Sequence, residues 1–183
     1  MIDAHLRRWY AEDADDLADA LRADPDLVRQ LGGLDPDAAL GRGAVAAHID
    51  RHLTPDATRL VRAIVWDGRV VGNVAVTGIE RRHDTGWVSY WLTPAARGHG
   101  LAARGLATVA AQAFADGLFR LELGHRMNNP ASCRVATAAG FRAEGLERAK
   151  LRYGDERFDV ETHARLATDP DPALDRLPSF PDD

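Results

Sequence analysis

Apolar and polar residues follow two periods along this chain, and the switches between those periods mark its elements. Residues 4–10 read as a first strand, after which Asp13 stands as a helix cap with Leu17 and Leu21 on one helical face. Asp35-Pro36 predicts a second helix, opened by a cap and a first-turn proline. It runs towards Leu53, is weakened by Gly41 and Gly43, and is ended by Thr54-Pro55. Residues 60–66 and 70–79 are β-rich runs joined around Asp67-Gly68, the pair that favours a tight hairpin. His83-Asp84 marks the next turn, and residues 87–92 form a further run that Pro94 closes. From residue 98 to residue 116, Ala102, Leu106, Val109 and Ala113 recur at helical spacing, with Gly117 placed to end the helix. A short strand over 119–123 and a helix over 130–139, stopped by Gly140, come next. A strand returns from Phe141, Tyr153-Gly154-Asp155 turns the chain, and residues 158–166 form the last strand.

This order predicts an α/β domain over residues 1–167. Its sheet is mixed and mostly antiparallel, with about seven strands flanked by helices. The elements do not alternate as regular βα units, which argues against a Rossmann domain. After Leu166 the chain is rich in Asp and Pro, and residues 168–183 read as an acidic, solvated tail.

Composition narrows the class. The chain has 183 residues, 45% hydrophobic and 28% charged, which suits one globular domain with its own core. A net charge of −5 gives no basic field for nucleic acid. The single cysteine, Cys133, excludes an internal disulfide framework and a cysteine-based zinc cluster, and no metal site is expected. Cys133 itself reads as a small buried helix residue. The chain has no apolar run of membrane-spanning length and no signal-peptide pattern, so a cytoplasmic protein that binds no membrane is expected.

The stretch Arg97-Gly98-His99-Gly100-Leu101-Ala102 lies between a strand and the longest helix. Glycines there let backbone N–H groups approach an anion, and a helix start adds unpaired donors and a positive dipole end. A P-loop would need a longer glycine span and a Lys-Ser/Thr pair, and Gly98, Gly100 and Gly105 do not fit the dinucleotide spacing. The loop of acyl-CoA-dependent acyltransferases and a ligand-free helix start both remain.

Arg97, Gly100 and Ala102 resemble the Q/R-x-x-G-x-G/A cofactor motif of the GNAT superfamily of N-acetyltransferases. Farther on, Asn129, Ser132 and the run Gly140-Phe141 with Glu144-Gly145 resemble the RimJ/RimL-like branch, which acetylates ribosomal-protein N-termini. The resemblance spans about residues 3–166 and implies the GNAT fold. It also implies acetyl-CoA as co-substrate, a primary-amine acceptor and a homodimer. In that fold two neighbouring strands part, and the pantetheine arm lies in the gap. Backbone groups of Leu92 and Thr93 would pair with pantetheine. Backbone N–H groups of Gly98, His99, Gly100, Leu101 and Ala102 would hold the pyrophosphate, with Arg97 as a neighbouring cation. Asn129 matches the asparagine that touches the arm, and by its position also reads as a helix cap.

The position that many members fill with an acidic tyrosine is Ala136 here, and Ser132 matches the serine that serves in this branch. Ser132 is the candidate hydrogen-bond or proton donor to the departing sulfur, its alternative being a bond to its own helix start. The glutamate that many relatives use as base is replaced by Trp87. His125 is a candidate base, and Glu80 and His83 are others. Trp66, Trp87, Trp91, Tyr90 and Tyr153 are candidate walls of the acceptor cleft. With no evident base, an α-amine is favoured. Roughly 10–15% of it is neutral at pH 7 against about 0.04% of a lysine, a difference of about 3.4 kcal/mol. A small-molecule amine acetyltransferase and a non-catalytic acyl-CoA-binding module are the alternative readings.

Overall fold

The computed structural model describes residues 3–24, 26–31 and 41–180. Among these, seven strands form one sheet: β1 (Ala4–Arg7), β2 (Leu60–Trp66), β3 (Arg69–Glu80), β4 (Thr85–Leu92), β5 (Arg120–Arg126), β6 (Arg142–Tyr153) and β7 (Glu156–Leu166). Their order is β1-β2-β3-β4-β5-β7-β6. Every neighbouring pair is antiparallel except β4–β5. The helices are α1 (Ala14–Ala23), α2 (Asp26–Leu31), α3 (Arg42–His48), α4 (Leu101–Ala115) and α5 (Pro130–Ala138). None is long and apolar enough to cross a membrane.

β2 is buried along almost its whole length because it carries apolar residues on both faces. Leu60 and Ile64 pack with α4 and α5, whereas Val61, Ala63 and Val65 pack with α1 and α3. The second of these cores draws on β2, β3 and Trp91 but on nothing from β5, β6 or β7. Among the described residues, no helix of this core covers the β5–β7–β6 end of that face. Asp67 and Gly68, both at positive φ, close the β2–β3 hairpin as the Asp-Gly pair predicts.

Several boundaries differ from the pattern. β1 stops at Arg7, and a 3₁₀ turn over Ala11–Asp13 leads into α1. Asp13 does not cap α1 with its side chain. Its carboxylate forks to Arg7 at 2.7 and 2.8 Å, a charge-assisted pair stronger than a neutral cap bond. α2 is too short for its apolar period to stand out. The expected helix start at Asp35-Pro36 lies outside the described residues. Its continuation is α3, which runs into a π-helical turn over Ile49–Leu53.

Most described residues of the tail are exposed, but the segment is docked on the domain through a few contacts. Leu177 is 2% exposed within the α4 core. The Leu6 N–H donates to Pro178 at 2.7 Å, and the Phe180 N–H donates to Leu6 at 3.0 Å, so Ser179 bridges β1 in parallel. The Thr108 hydroxyl donates to the Leu177 carbonyl at 2.9 Å. Acidic composition does not reveal this docking, which rests on one buried leucine and on Asp169 and Asp171 bonding the end of β7. Leu177→Ala is expected to lower the unfolding free energy by about 2–4 kcal/mol. Urea denaturation measures this, and an unchanged midpoint would show the tail to be thermodynamically idle.

Candidate active site

β4 and β5 pair in parallel over only three registers, Thr85 with Arg120, Gly86 with Leu121 and Trp87 with Glu122. Beyond these the two strands part at the centre of the sheet. The Thr93 N–H donates to Val71 at 2.8 Å, which turns Thr93 towards β3. Alternation then directs the backbone of Tyr90 and Leu92 into the gap. The Thr93 carbonyl also accepts from the Ala96 N–H at 3.0 Å. Leu92 borders the gap, and its carbonyl accepts from Arg97 Nε at 3.2 Å.

Past the short turn Pro94–Ala96 the chain reaches the glycines. Gly98 has φ +84 and Gly100 φ +74, a left-handed conformation that side chains disfavour. A Cβ at Gly98 would meet nothing within 4 Å, and one at Gly100 only the Arg104 side chain at 4.0 Å. Backbone conformation, not crowding, therefore calls for glycine, and the space above the loop is open. Gly100 is the N-cap of α4 and brings no side-chain acceptor, so the first-turn N–H groups are left for an outside partner. The side chains of Leu101 and Ala102 are buried, so only their backbones can face a ligand. His99 stacks on Trp66 with centroids 4.7 Å apart. Arg97 does not stand as a free cation: its guanidinium is bonded to Asp24 as well as to Leu92.

Across the gap, Asn129 caps α5. Its Oδ1 accepts from the Ser132 N–H at 3.2 Å, and its Nδ2 donates to Ser132 Oγ at 3.1 Å. The Ser132 hydroxyl oxygen is thus occupied as an acceptor, and its proton remains to be donated. The Tyr90 hydroxyl donates to the Ser132 carbonyl at 2.9 Å and so ties β4 to α5 across the gap. Burial pushes the Tyr90 phenol up to about 12. Sequence reasoning placed Tyr90 only among possible cleft walls. The signal for more was its alternation with Val88 and Leu92 on the α5 side of β4.

On the opposite, uncovered face lies an open pocket of about 370 Å³, lined by Trp87, Glu122, Glu144, Glu147, Lys150 and Thr162 among others. Gly124 lets Trp87 lie across β5, since a Cβ there would sit 3.3 Å from the indole. Each glutamate named is ion-paired. Glu122 and Glu144 bond Arg120 at 2.6 and 2.5 Å, and Glu147 bonds Lys150 at 2.5 Å. The Arg120 guanidinium holds Glu144 below the usual carboxylate range. These acids are legible only once β5, β6 and β7 are in register.

The other candidates lie elsewhere. Trp91 belongs to the α1–α3 core, and Tyr153 packs on Phe158 with centroids 5.6 Å apart. Glu80 accepts from the N–H groups of Arg82 and His83, which makes it a turn residue. His125 does not face this pocket. It is buried on the α5 side of the sheet, against His163 and Glu161. Cys133 is half-buried rather than buried, with Sγ 3.4 Å from Glu161.

Residues 4–142 match the acetyltransferase (GNAT) domain. The chain is 29% identical over 104 residues to the ribosomal-protein-serine acetyltransferase of Escherichia coli (strain K12), a match covering 56% of this chain and 58% of that relative. It thus spans little more than half the length of that curated relative. Among solved structures it resembles Mycobacterium smegmatis RimJ in complex with CoA-disulfide. There the TM-score is 0.78 and the identity 24%, over 90% of this chain and 82% of the other. It also resembles the Salmonella typhimurium acetyl transferase that modifies the N-terminal serine of L7/L12. That match has a TM-score of 0.75 and 19% identity, over 89% and 94% of the two chains.

The Asn129 amide makes both bonds to Ser132, so Asn129→Ala is expected to cost about 1 kcal/mol, with Asn129→Asp retaining most of it. Paired guanidinium titrations of the two variants check this. No loss in Asn129→Ala would show that the cap contributes nothing.

Proposed function

Because the chain belongs to the acetyltransferase (GNAT) family, we propose that it uses acetyl-CoA to acetylate a primary amine, preferentially the α-amine of a protein or peptide N-terminus. The observation that carries this reading is the parted β4–β5 pair, which opens beside an uncapped helix start with clear space above Gly98 and Gly100. The gap offers unpaired strand backbone to an extended amide chain, and the helix start offers donors to a pyrophosphate. Leu92 meets the arm, and the N–H groups of Gly98, His99, Gly100, Leu101 and Ala102 meet the phosphates. Asn129 acts on the arm through the hydroxyl it orients. With Arg97 matched by Asp24, Arg104 beside Gly100 supplies the nearby cation.

In the transfer, the neutral amine attacks the thioester carbonyl carbon. The C–N bond forms, the C–S bond breaks, and the sulfur leaves as a thiolate that Ser132 Oγ–H stabilises and protonates. The proton lost by the amine passes to water and returns through solvent to Ser132. The pocket glutamates are each held by Arg120 or Lys150, and none stands free as a base, so the amine is taken to arrive neutral. That condition favours an α-amine over a lysine by about 3.4 kcal/mol. A ribosomal-protein N-terminus met in the cytoplasm is the acceptor that the curated relative suggests.

Calorimetric titration with acetyl-CoA is expected to show micromolar binding that Gly100→Asp, with its carboxylate among the donors, weakens about tenfold or more. Absence of binding by the unaltered chain would remove the reading. Ser132→Ala is expected to lower kcat by about a hundredfold with little change in acetyl-CoA affinity. Unchanged kcat on N-terminal peptides would remove the serine's role. Equal turnover of internal lysines would remove the α-amine preference.

A further inference from the structure

Four side chains converge on the α5 side of the sheet, behind the pocket that His163 also borders. His125 on β5 is the cross-strand partner of Glu161 on β7, His163 follows two residues on along the same face, and Cys133 comes from the first turn of α5. His125 Nε2 lies 3.1 Å from His163 Nε2 and 3.2 Å from Glu161 Oε2. His163 Nε2 lies 2.9 Å from that same oxygen, and Cys133 Sγ lies 3.4 Å from it. All four donor atoms fall within 4.8 Å of one another.

The far sides of the two rings decide what this cluster is. His125 Nδ1 is 3.1 Å from the Arg126 carbonyl, and His163 Nδ1 reaches the Phe141 carbonyl at 3.5 Å. A carbonyl only accepts, so both Nδ1 atoms carry the proton. With Nδ1 as the donor, each ring turns its Nε2 towards the other ring and the Glu161 carboxylate. Three acceptors at such distances repel unless a cation stands among them. A single proton shared from one Nε2 leaves at least one of these three contacts unrelieved, whereas a metal ion relieves all three and takes the Cys133 sulfur as a fourth ligand. Metal-bound histidines show this same pattern, with the second nitrogen donating to a carbonyl.

We propose that His125, Cys133, Glu161 and His163 form a four-coordinate zinc site. With Zn–N and Zn–O near 2.0–2.1 Å and Zn–S about 2.3 Å, a tetrahedron has edges of about 3.3 Å between nitrogen or oxygen donors and about 3.5 Å from sulfur to oxygen. Four of the six edges match to within a few tenths of an ångström, and the two from sulfur to the histidine nitrogens fall within 4.8 Å, so the Cys133 side chain closes on the ion as it binds. One thiolate and one carboxylate neutralise the divalent charge, and two imidazoles with a thiolate suit zinc better than magnesium or calcium. The histidines are buried while Cys133 and Glu161 are half-buried, which leaves the ion a way in. The mixed donor set escapes an expectation based on cysteine count alone. Bound metal would tie the first turn of α5 to β5 and β7, next to Ser132, as a structural site outside the transfer chemistry.

The test is titration of chelator-treated full chain with Co²⁺, followed by displacement with Zn²⁺. One equivalent is expected to give tetrahedral d–d absorption and a near-ultraviolet thiolate charge-transfer band, and Zn²⁺ should abolish both and raise Tm. Cys133→Ser should lose the charge-transfer band while still binding, and His163→Gln should lower affinity at least tenfold with unchanged circular dichroism. If the unaltered, folded chain takes up no stoichiometric Co²⁺, the proposal is overturned and the cluster is a protonated histidine–carboxylate pair. A charge-transfer band that survives in Cys133→Ser overturns the ligand set.

Discussion

The parting of β4 from β5 is the constraint on which the rest of this molecule depends. A sheet keeps its interior dry by pairing every strand, and an unpaired stretch at its centre leaves donors and acceptors that something must satisfy. Here pairing ends after Trp87 and Glu122. The neighbouring elements make that opening permanent. The Tyr90 hydroxyl reaches across to the Ser132 carbonyl, and Asn129 holds α5 in place at the far side. α4 begins at the near side with a glycine cap that leaves its own donors unanswered. The gap therefore persists as a slot with prepared walls, held apart by bonds that a closed sheet would not need.

The two faces of the sheet divide the work. α4 and α5 cover one face along its length, and the parted backbone, Ser132 and the histidine cluster lie on that side. α1 and α3 cover only the β1–β4 end of the other face. The uncovered remainder becomes the pocket under Trp87, whose carboxylates are neutralised by Arg120 and Lys150. A reaction that joins two substrates needs approach from two directions, and this unequal helical cover provides it. The ion pairs keep the pocket polar without making it strongly basic.

Much of this was legible in the sequence, for physical reasons that differ by element. The strands of the β2–β3 hairpin stand out because β-branched runs flank an Asp-Gly turn. The helix start at Gly98 to Leu101 stands out because left-handed backbone demands glycine. Asn129 and Ser132 are legible through local cap spacing. The bonds of Thr93 to Val71 and of Arg97 to Asp24 are not legible because their partners come from distant segments. The pairing of His125 with Glu161, and of Glu144 with Arg120, depends on the β5–β7–β6 register, which no local pattern encodes. The docking of the tail is not legible because it turns on a single buried leucine among many exposed residues.

That docked tail also bears on solubility. An open sheet ends in two edge strands, each a row of unpaired backbone groups ready to recruit another chain. β1 is one edge, and the segment around Ser179 answers its outward groups through Leu6. The other edge, β6, carries Arg142, Glu144, Glu147, Arg148, Lys150 and Arg152, so a strand arriving there meets charge of both signs. The molecule thus guards its two edges by different means, backbone cover on one side and side-chain charge on the other. Loss of the cover would leave a short, apolar strand of Ala4 and Leu6 as its most adhesive surface.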